Sequence, residues 1–267
     1  MSPWGELARR GMRSQRRSAG WWSLTIAAFT VLNVAFWPTL EGSDALQSLK
    51  EMSQTVLEAF GAQNIATPAG YLDGQLFALM LPLLLSAMAI AAVTAATAGS
   101  EDTGRSELLH ALPVSRRTIW ASQLLATLAV LVSVAALVAA LVVAARPIFS
   151  LDEVPVGRIV TATFACALLA AFHAAVAFVV GAFGASRSSA VGIAIGVLVV
   201  GYLLDFVLPI SDRLAGARRA SPWWWAIGDQ PVSHGVDVWR ILLLIAVGVA
   251  LFAAAMFAVE RRDIRSA

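Results

Sequence analysis

Ser100-Glu-Asp-Thr-Gly-Arg-Ser-Glu-Leu-Leu-His-Ala-Leu-Pro-Val-Ser-Arg-Arg-Thr-Ile119 separates two apolar runs, Gln75–Ala98 and Ile119–Ala145, each long enough to cross a bilayer as a helix. A polar segment fixed to the membrane at both ends is a surface shown to one aqueous compartment. Within it, Glu107-Leu-Leu-His-Ala-Leu112 has the spacing of a short amphipathic helix. Pro113 ends that helix, because the residue before a proline is pushed out of the α region. Ser115 is then placed to cap the next helix by accepting from its free amides.

Outward from this loop the chain reads as membrane. It has 267 residues, 59% hydrophobic and 13% charged, with a mean hydropathy of +0.76. Six runs qualify as spans: Trp21–Leu40, Gln75–Ala98, Ile119–Ala145, Ile159–Phe183, Ala190–Pro209 and Trp239–Val259. They are rich in Ala, Val and Leu without period-two alternation, which predicts helices rather than a barrel. Met1–Gly20 is basic and carries Trp4, Leu7 and Met12, as expected of a helix lying on the membrane surface or of a basic tail. Asp44–Phe60 repeats apolar residues at helical spacing but is too polar to span, and Pro68 and Gly70 predict a turn back into the bilayer. The link Gly184–Ser189 is so short that the fourth and fifth spans must be antiparallel neighbours. With no linker and no repeat, residues 1–267 read as one domain.

Lys and Arg set the orientation. With the N-terminus in the cytosol, twelve basic residues fall inside and seven outside, and the first segment alone holds five arginines against one acid, Glu6. Both termini are therefore expected inside. The sequence pI of about 9.2 does not signal nucleic acid, because the positive charge abuts spans, where anionic head groups meet it. The single cysteine, Cys166, lies within the fourth span and reads as a small buried residue.

The loop resembles that between the second and third spans of type-2 ABC exporter permeases, in which an acid, a Gly, Glu-Leu-Leu and Leu-Pro-Val-Ser-Arg-Arg recur in order. Glu101, Gly104, Glu107, Leu108, Leu109, Leu112, Pro113, Val114, Ser115, Arg116 and Arg117 match that pattern. Downstream, Ser221-Pro222-Trp223-Trp224-Trp225 with Gly228-Asp229-Gln230-Pro231 is similar to the Ser-Pro-aromatic turn before the last span of such permeases. Ala121-Ser122-Gln123 departs from the family, where many relatives place a base. The resemblance implies an all-α integral membrane protein: six transmembrane helices, an N-terminal interfacial helix, and a cytosolic coupling helix between spans 2 and 3. It further implies a bacterial inner-membrane subunit that dimerises with a second permease chain, homo- or heterodimer, and docks cytosolic ATPase subunits. The coupling element would comprise Glu101, Asp102, Arg105, Glu107, Leu108, Leu109, Leu112, Pro113, Val114, Ser115, Arg116 and Arg117, joined by Ser186 and Arg187 from the second inner loop.

Other chemistries fit poorly. A phosphate-cradling loop needs Gly-x4-Gly-Lys-Ser/Thr, and the one lysine, Lys50, follows Gln47-Ser48-Leu49. ATP and Mg therefore belong on a separate ATPase, with no cofactor on this chain. His110, His173 and His234 fall in different compartments, so no metal site is expected. Gly184-Ala185-Ser186 resembles part of a rhomboid protease signature, but Arg187 replaces its second glycine and His173 precedes the serine. The rival classes are a self-sufficient secondary transporter or channel, or a membrane anchor for a partner protein.

Polar residues inside spans are costly, and each has two readings. Asn33, Thr161 and Thr163 read as bonds between helices. Asp205 reads as an ion pair with Arg213 or Arg240, or as a translocation residue, and His173 as a packing or a pathway residue. Trp223, Trp224, Trp225 and Trp239 read as anchors at head-group depth, or as the outer exit of a path. Arg116 and Arg117 stand in the first turn of a helix, where the macrodipole disfavours a cation by about 0.3–1 kcal/mol. Lipid phosphate or a partner's carboxylate must offset that.

Overall fold

The computed structural model describes residues 3–44, 67–99 and 115–261, with side chains from residue 17 onward except Asp212. Helix α1 runs Pro3–Glu41, and after the described residues resume come α2 (Pro68–Leu72), a π turn at Asp73–Phe77 and α3 (Met80–Ala96). Then follow α4 (Arg116–Ala145), α5 (Val156–Ala182), α6 (Arg187–Tyr202) and a second π turn at Leu203–Val207. Two 3-10 turns, Leu208–Ile210 and Asp212–Ala220, lead into α7 (Pro222–Ile227) and α8 (Val238–Arg261). No strand occurs among the described residues. Six stretches are long and apolar enough to cross a membrane: Arg17–Glu41, Pro68–Ala96, Arg116–Ala145, Val156–Ala182, Arg187–Ile210 and Val238–Arg261.

These spans overlap the six expected ones, with two local differences. The N-terminal segment is not a separate helix: α1 continues unbroken from Pro3 into the first span. Pro68 marks a helix start rather than a turn, because a proline at the first helical position gives up only an amide that lacks a partner anyway. Thr67 caps it, accepting from the Gly70 amide at 3.0 Å. The expected helices at 44–60 and 107–112 lie outside the described residues.

Helix α5 is the hub, packed against α3, α4, α6 and α8, while α1 lies chiefly against α4. In lipid no hydrophobic force drives helices together, so close approach and dispersion must do it. Ala162, Ala170, Ala174 and Ala177 give α5 the thin faces this needs, and all are fully buried. A Cβ added at Gly181 would stand 3.5 Å from that of Ala98. Trp120, Phe178 and Phe252 then tie α4, α5 and α8 through ring contacts at 5.4 and 6.3 Å. By contrast α6 and α8 bury only narrow stripes, and Gly192 and Gly196 face open space.

The expected bonds between helices through threonine do not form. Thr161 and Thr163 return their hydroxyls to carbonyls one turn back in α5, as Thr30 and Thr94 do in their own helices. A hydroxyl that bonds its own helix needs no neighbour, so packing carries these interfaces. Asn33 joins α1 to α2 through its main chain, its carbonyl accepting from the Tyr71 hydroxyl at 2.8 Å. Cys166 is buried and unbridged.

Candidate functional site

The antiparallel spans gather two functional ends. At one, which we call the terminal end, the loop 100–114 leaves α3 and joins α4, and the short link 183–186 joins α5 to α6. Ser115 and Ser186 both adopt extended backbone and cap the helices they precede, accepting from the Thr118 and Ser189 amides at 3.3 Å. Gly184, at φ +94°, makes the tight reversal into the second cap. The end of the second span touches the start of α6, since a Cβ on Gly99 would lie 2.9 Å from Arg187 Cδ. Neither α4 nor α6 has an acid in its first turn; each begins with arginine instead.

Arg117 resolves its conflict with the α4 macrodipole by crossing to α8. Its guanidinium pairs with Glu260, and its Nε donates to the Met256 carbonyl at 3.3 Å. Glu260 sits in the last turn of α8, where the macrodipole disfavours an anion. Each side chain is misplaced on its own helix and favourably placed at the end of its neighbour's. The carboxylate beside Arg117 thus belongs to the same chain, and is neither of the two sources expected, lipid phosphate or a partner subunit. With the two side chains 46% and 50% exposed, the pair stabilises by about 1 kcal/mol or less.

The opposite end carries a crown, residues 211–237, held by aspartates in the two π turns. A π turn widens the helix by one residue and re-aims its side chains. Asp73 turns both oxygens to the crown backbone, accepting from the Val232 and Ser233 amides at 2.9 and 2.8 Å. Asp205 faces Arg218 at 3.4 Å. Neither buried oxygen of Asp205 accepts a directed hydrogen bond from a described residue, so the contact is ionic. Ser221 donates to the Gly201 carbonyl at 2.6 Å, and Trp223 Nε1 to that of Leu198 at 3.1 Å. Gly201 permits this, because a Cβ there would meet Trp223 Cδ1 at 2.9 Å.

Arg240 closes the crown. Its guanidinium lies 4.1 Å from the Trp224 ring and pairs with Asp229 and Asp237. Asp237 also accepts from the Trp239 amide at 2.9 Å, capping α8. Its hydrogen bond from Arg240 holds its carboxyl below the usual carboxylate range. Beside this cluster a cavity of about 320 Å³ is lined by Trp224, Trp225, Asp229, His234, Asp237 and Arg240.

The family model described as ABC-2 family transporter protein matches residues 6–222. The chain belongs to the ABC-2 transporter family. Comparison with curated proteins finds no match. The matched region takes in every span but the last and ends at Pro222, inside the crown.

Of the residues that sequence reasoning assigned to this ABC-2 protein's coupling element, Ser115, Arg116, Arg117, Ser186 and Arg187 share the terminal end. Glu101, Asp102, Arg105, Glu107, Leu108, Leu109, Leu112, Pro113 and Val114 lie outside the described residues. The candidate pathway residues are scattered. His173 is fully buried and faces Ser86 at 3.1 Å across the α3–α5 interface. Asp205 pairs with Arg218, not with Arg213 or Arg240, because the 3-10 turn Asp212–Ala220 that carries Arg218 packs against the π turn. Trp223 is no head-group anchor: it is fully buried, edge-on to Tyr202 at 5.5 Å. Trp225 donates to the Arg219 carbonyl at 2.8 Å, and Trp239, 77% exposed, is the residue that stands where an anchor would. Among the described residues no group of three His, Cys, Asp or Glu side chains could hold a metal.

Sequence reasoning missed Asp73, Arg218 and Glu260. Asp73 abuts an apolar run, and an acid there has to find donors. Glu260 is an acid in a last helical turn, the same dipole conflict that singled out Arg117.

Proposed function

We propose that the chain is the membrane-spanning subunit of an ATP-driven bacterial exporter. It forms the translocation path as one of two permease chains and couples to a separate cytosolic ATPase. The terminal end faces the cytosol, as the twelve-to-seven division of basic residues supports. The observation that supports the coupling assignment is that the end of the second span at Gly99 meets Arg187 at the start of α6, at the same end as the α4–α8 ion pair. A push on the loop is delivered to α4 and, through Arg117 and Glu260, to α8. Nucleotide exchange on the partner then shifts the population between inward- and outward-facing arrangements. A self-sufficient transporter would use buried ionisable groups along a path, whereas Asp73 and Asp205 are engaged with the crown and His173 with Ser86.

Replacing Leu109 and Leu112 by Asp tests the docking. A buried unpaired carboxylate costs several kcal/mol, enough to outweigh a transient interface. The variant should insert in the membrane yet no longer co-purify with the ATPase. Wild-type co-purification with intact transport would refute the docking role.

A further inference from the structure

The crown cavity has walls fixed by contacts of their own. Gly235, in its lining, stands at φ +93° and rests on the first turn of α5, where a Cβ would lie 2.7 Å from Arg158 Nη1. Trp225 has its indole N–H spent on the Arg219 carbonyl, so what this ring offers the cavity is carbon surface. The charges of the lining are spent on one another. Arg240 donates from Nε to Asp237, from one terminal nitrogen to Asp229 and from the other to the Trp224 carbonyl at 3.3 Å, while Asp229 also meets Arg218.

This pairing leaves an excess of acceptors. A carboxylate has about four lone-pair sites. Asp229 accepts two hydrogen bonds and Asp237 three, and both side chains are nearly half exposed. His234 Nδ1 lies 3.1 Å from the Asp229 carbonyl, which can only accept, so Nδ1 carries the proton and Nε2 of the neutral ring is a bare lone pair. A ligand suited to this lining donates several hydrogen bonds, brings no net charge and has an apolar face for the indole. A cation would have to displace Arg240 and strand its mostly buried guanidinium. A sugar meets all three demands: its hydroxyls make short, strong bonds to charged acceptors, and the C–H face of its ring covers an aromatic wall.

We infer that the crown cavity binds a neutral mono- or disaccharide, with hydroxyls on Asp229, Asp237 and His234 and a ring face against Trp225. At about 320 Å³ it stands near the lower end of small-molecule sites, which run from about 300 to 1,000 Å³. The site lies within one chain, at the end opposite the proposed coupling element, and does not depend on the ATPase reading.

The test titrates the full chain, in phosphatidylcholine nanodiscs, with glucose, maltose and the guanidinium amine agmatine, saturation-transfer NMR reporting contact with ligand protons. A sugar should give a saturable signal, strongest on the C–H protons of one ring face, and agmatine should not displace it. Asp229→Asn should weaken binding about tenfold, as expected when a charged acceptor becomes neutral. His234→Ala should weaken it severalfold and, at an exposed position, decides should Asp229→Asn not fold. Trp239→Ala removes an exposed indole outside the lining and should change nothing. Dodecyl maltoside below its micellar concentration distinguishes the sources: tighter binding than maltose supports a glycolipid head group, equal binding a free sugar. No saturable signal from either sugar, displacement by agmatine, loss of signal in Trp239→Ala, or undiminished affinity in His234→Ala would each overturn the site.

Discussion

The crown and the terminal end are fastened by opposite means. At the crown, Asp73 and Asp205 are buried and reach across from two spans, and the Ser221–Trp223 turn plugs into the carbonyls of α6. At the terminal end the described fastening is an ion pair half open to water, flanked by capped helix starts and short loops. A buried carboxylate that accepts two amides cannot let go without stranding them, whereas an exposed pair can exchange its partner for water at little cost. The contrast suits a bundle that is fixed at one end and moved at the other.

The contrast breaks most sharply at Asp73. Asp73→Ala strands the Val232 and Ser233 amides and should destabilise by about 3 kcal/mol, bonds to a charged acceptor being worth about 1.5–3 each. Thermal unfolding of the purified variant, with protease sensitivity of residues 228–237, measures it. An unchanged midpoint would mean the crown is not held by this residue. Gly201→Ala comes next: its Cβ meets Trp223 at 2.9 Å, so overpacking should cost about 1–3 kcal/mol and disturb tryptophan fluorescence.

At the other end, Arg117→Glu and Glu260→Arg should each lower stability by about 1 kcal/mol or less, and the exchanged double variant should regain only part of it. Exchange restores the pair but loses the bond from Arg117 Nε to the Met256 carbonyl, so the two geometries are not equivalent. If the pair transmits motion, coupled ATP turnover in the assembled complex should fall much more than stability does. Equal losses in both would reduce it to a surface contact. The smallest effect belongs to Asp237. Because its folded carboxyl titrates below the ordinary value of 3.8, its contribution is complete above that value and fades as pH drops through the folded one. Asp237→Asn should remove a slight acid sensitivity of the unfolding midpoint and leave behaviour at neutral pH nearly unchanged.

Much of the architecture was legible. Apolar runs of bilayer length specify helices because lipid offers backbone amides no other partner, and a link as short as 184–189 admits only antiparallel neighbours. The dipole conflict at Arg117 called for an anion but left lipid phosphate and a partner's carboxylate equally open, and the structure supplies Glu260 of the same chain. What resisted reading was which polar groups meet. By sequence Asp205 had Arg213 or Arg240 as partners, and Arg218 took the place because the 3-10 turn Asp212–Ala220 packs against the π turn. Trp223 read as an anchor by composition and became core because Gly201 leaves a slot for its ring.

By itself, then, the sequence determined the number and helical nature of the spans, the cap Ser115, and the resemblance that membership of the ABC-2 family makes good. These rest on local terms, namely hydropathy, backbone satisfaction and first-turn electrostatics, which neighbours in sequence supply. The crown's clamps and the exchange of charges between α4 and α8 were decided by tertiary structure alone. Each depends on side chains far apart in the chain arriving within a few ångströms, and no periodicity within a segment encodes the register at which two helices pack.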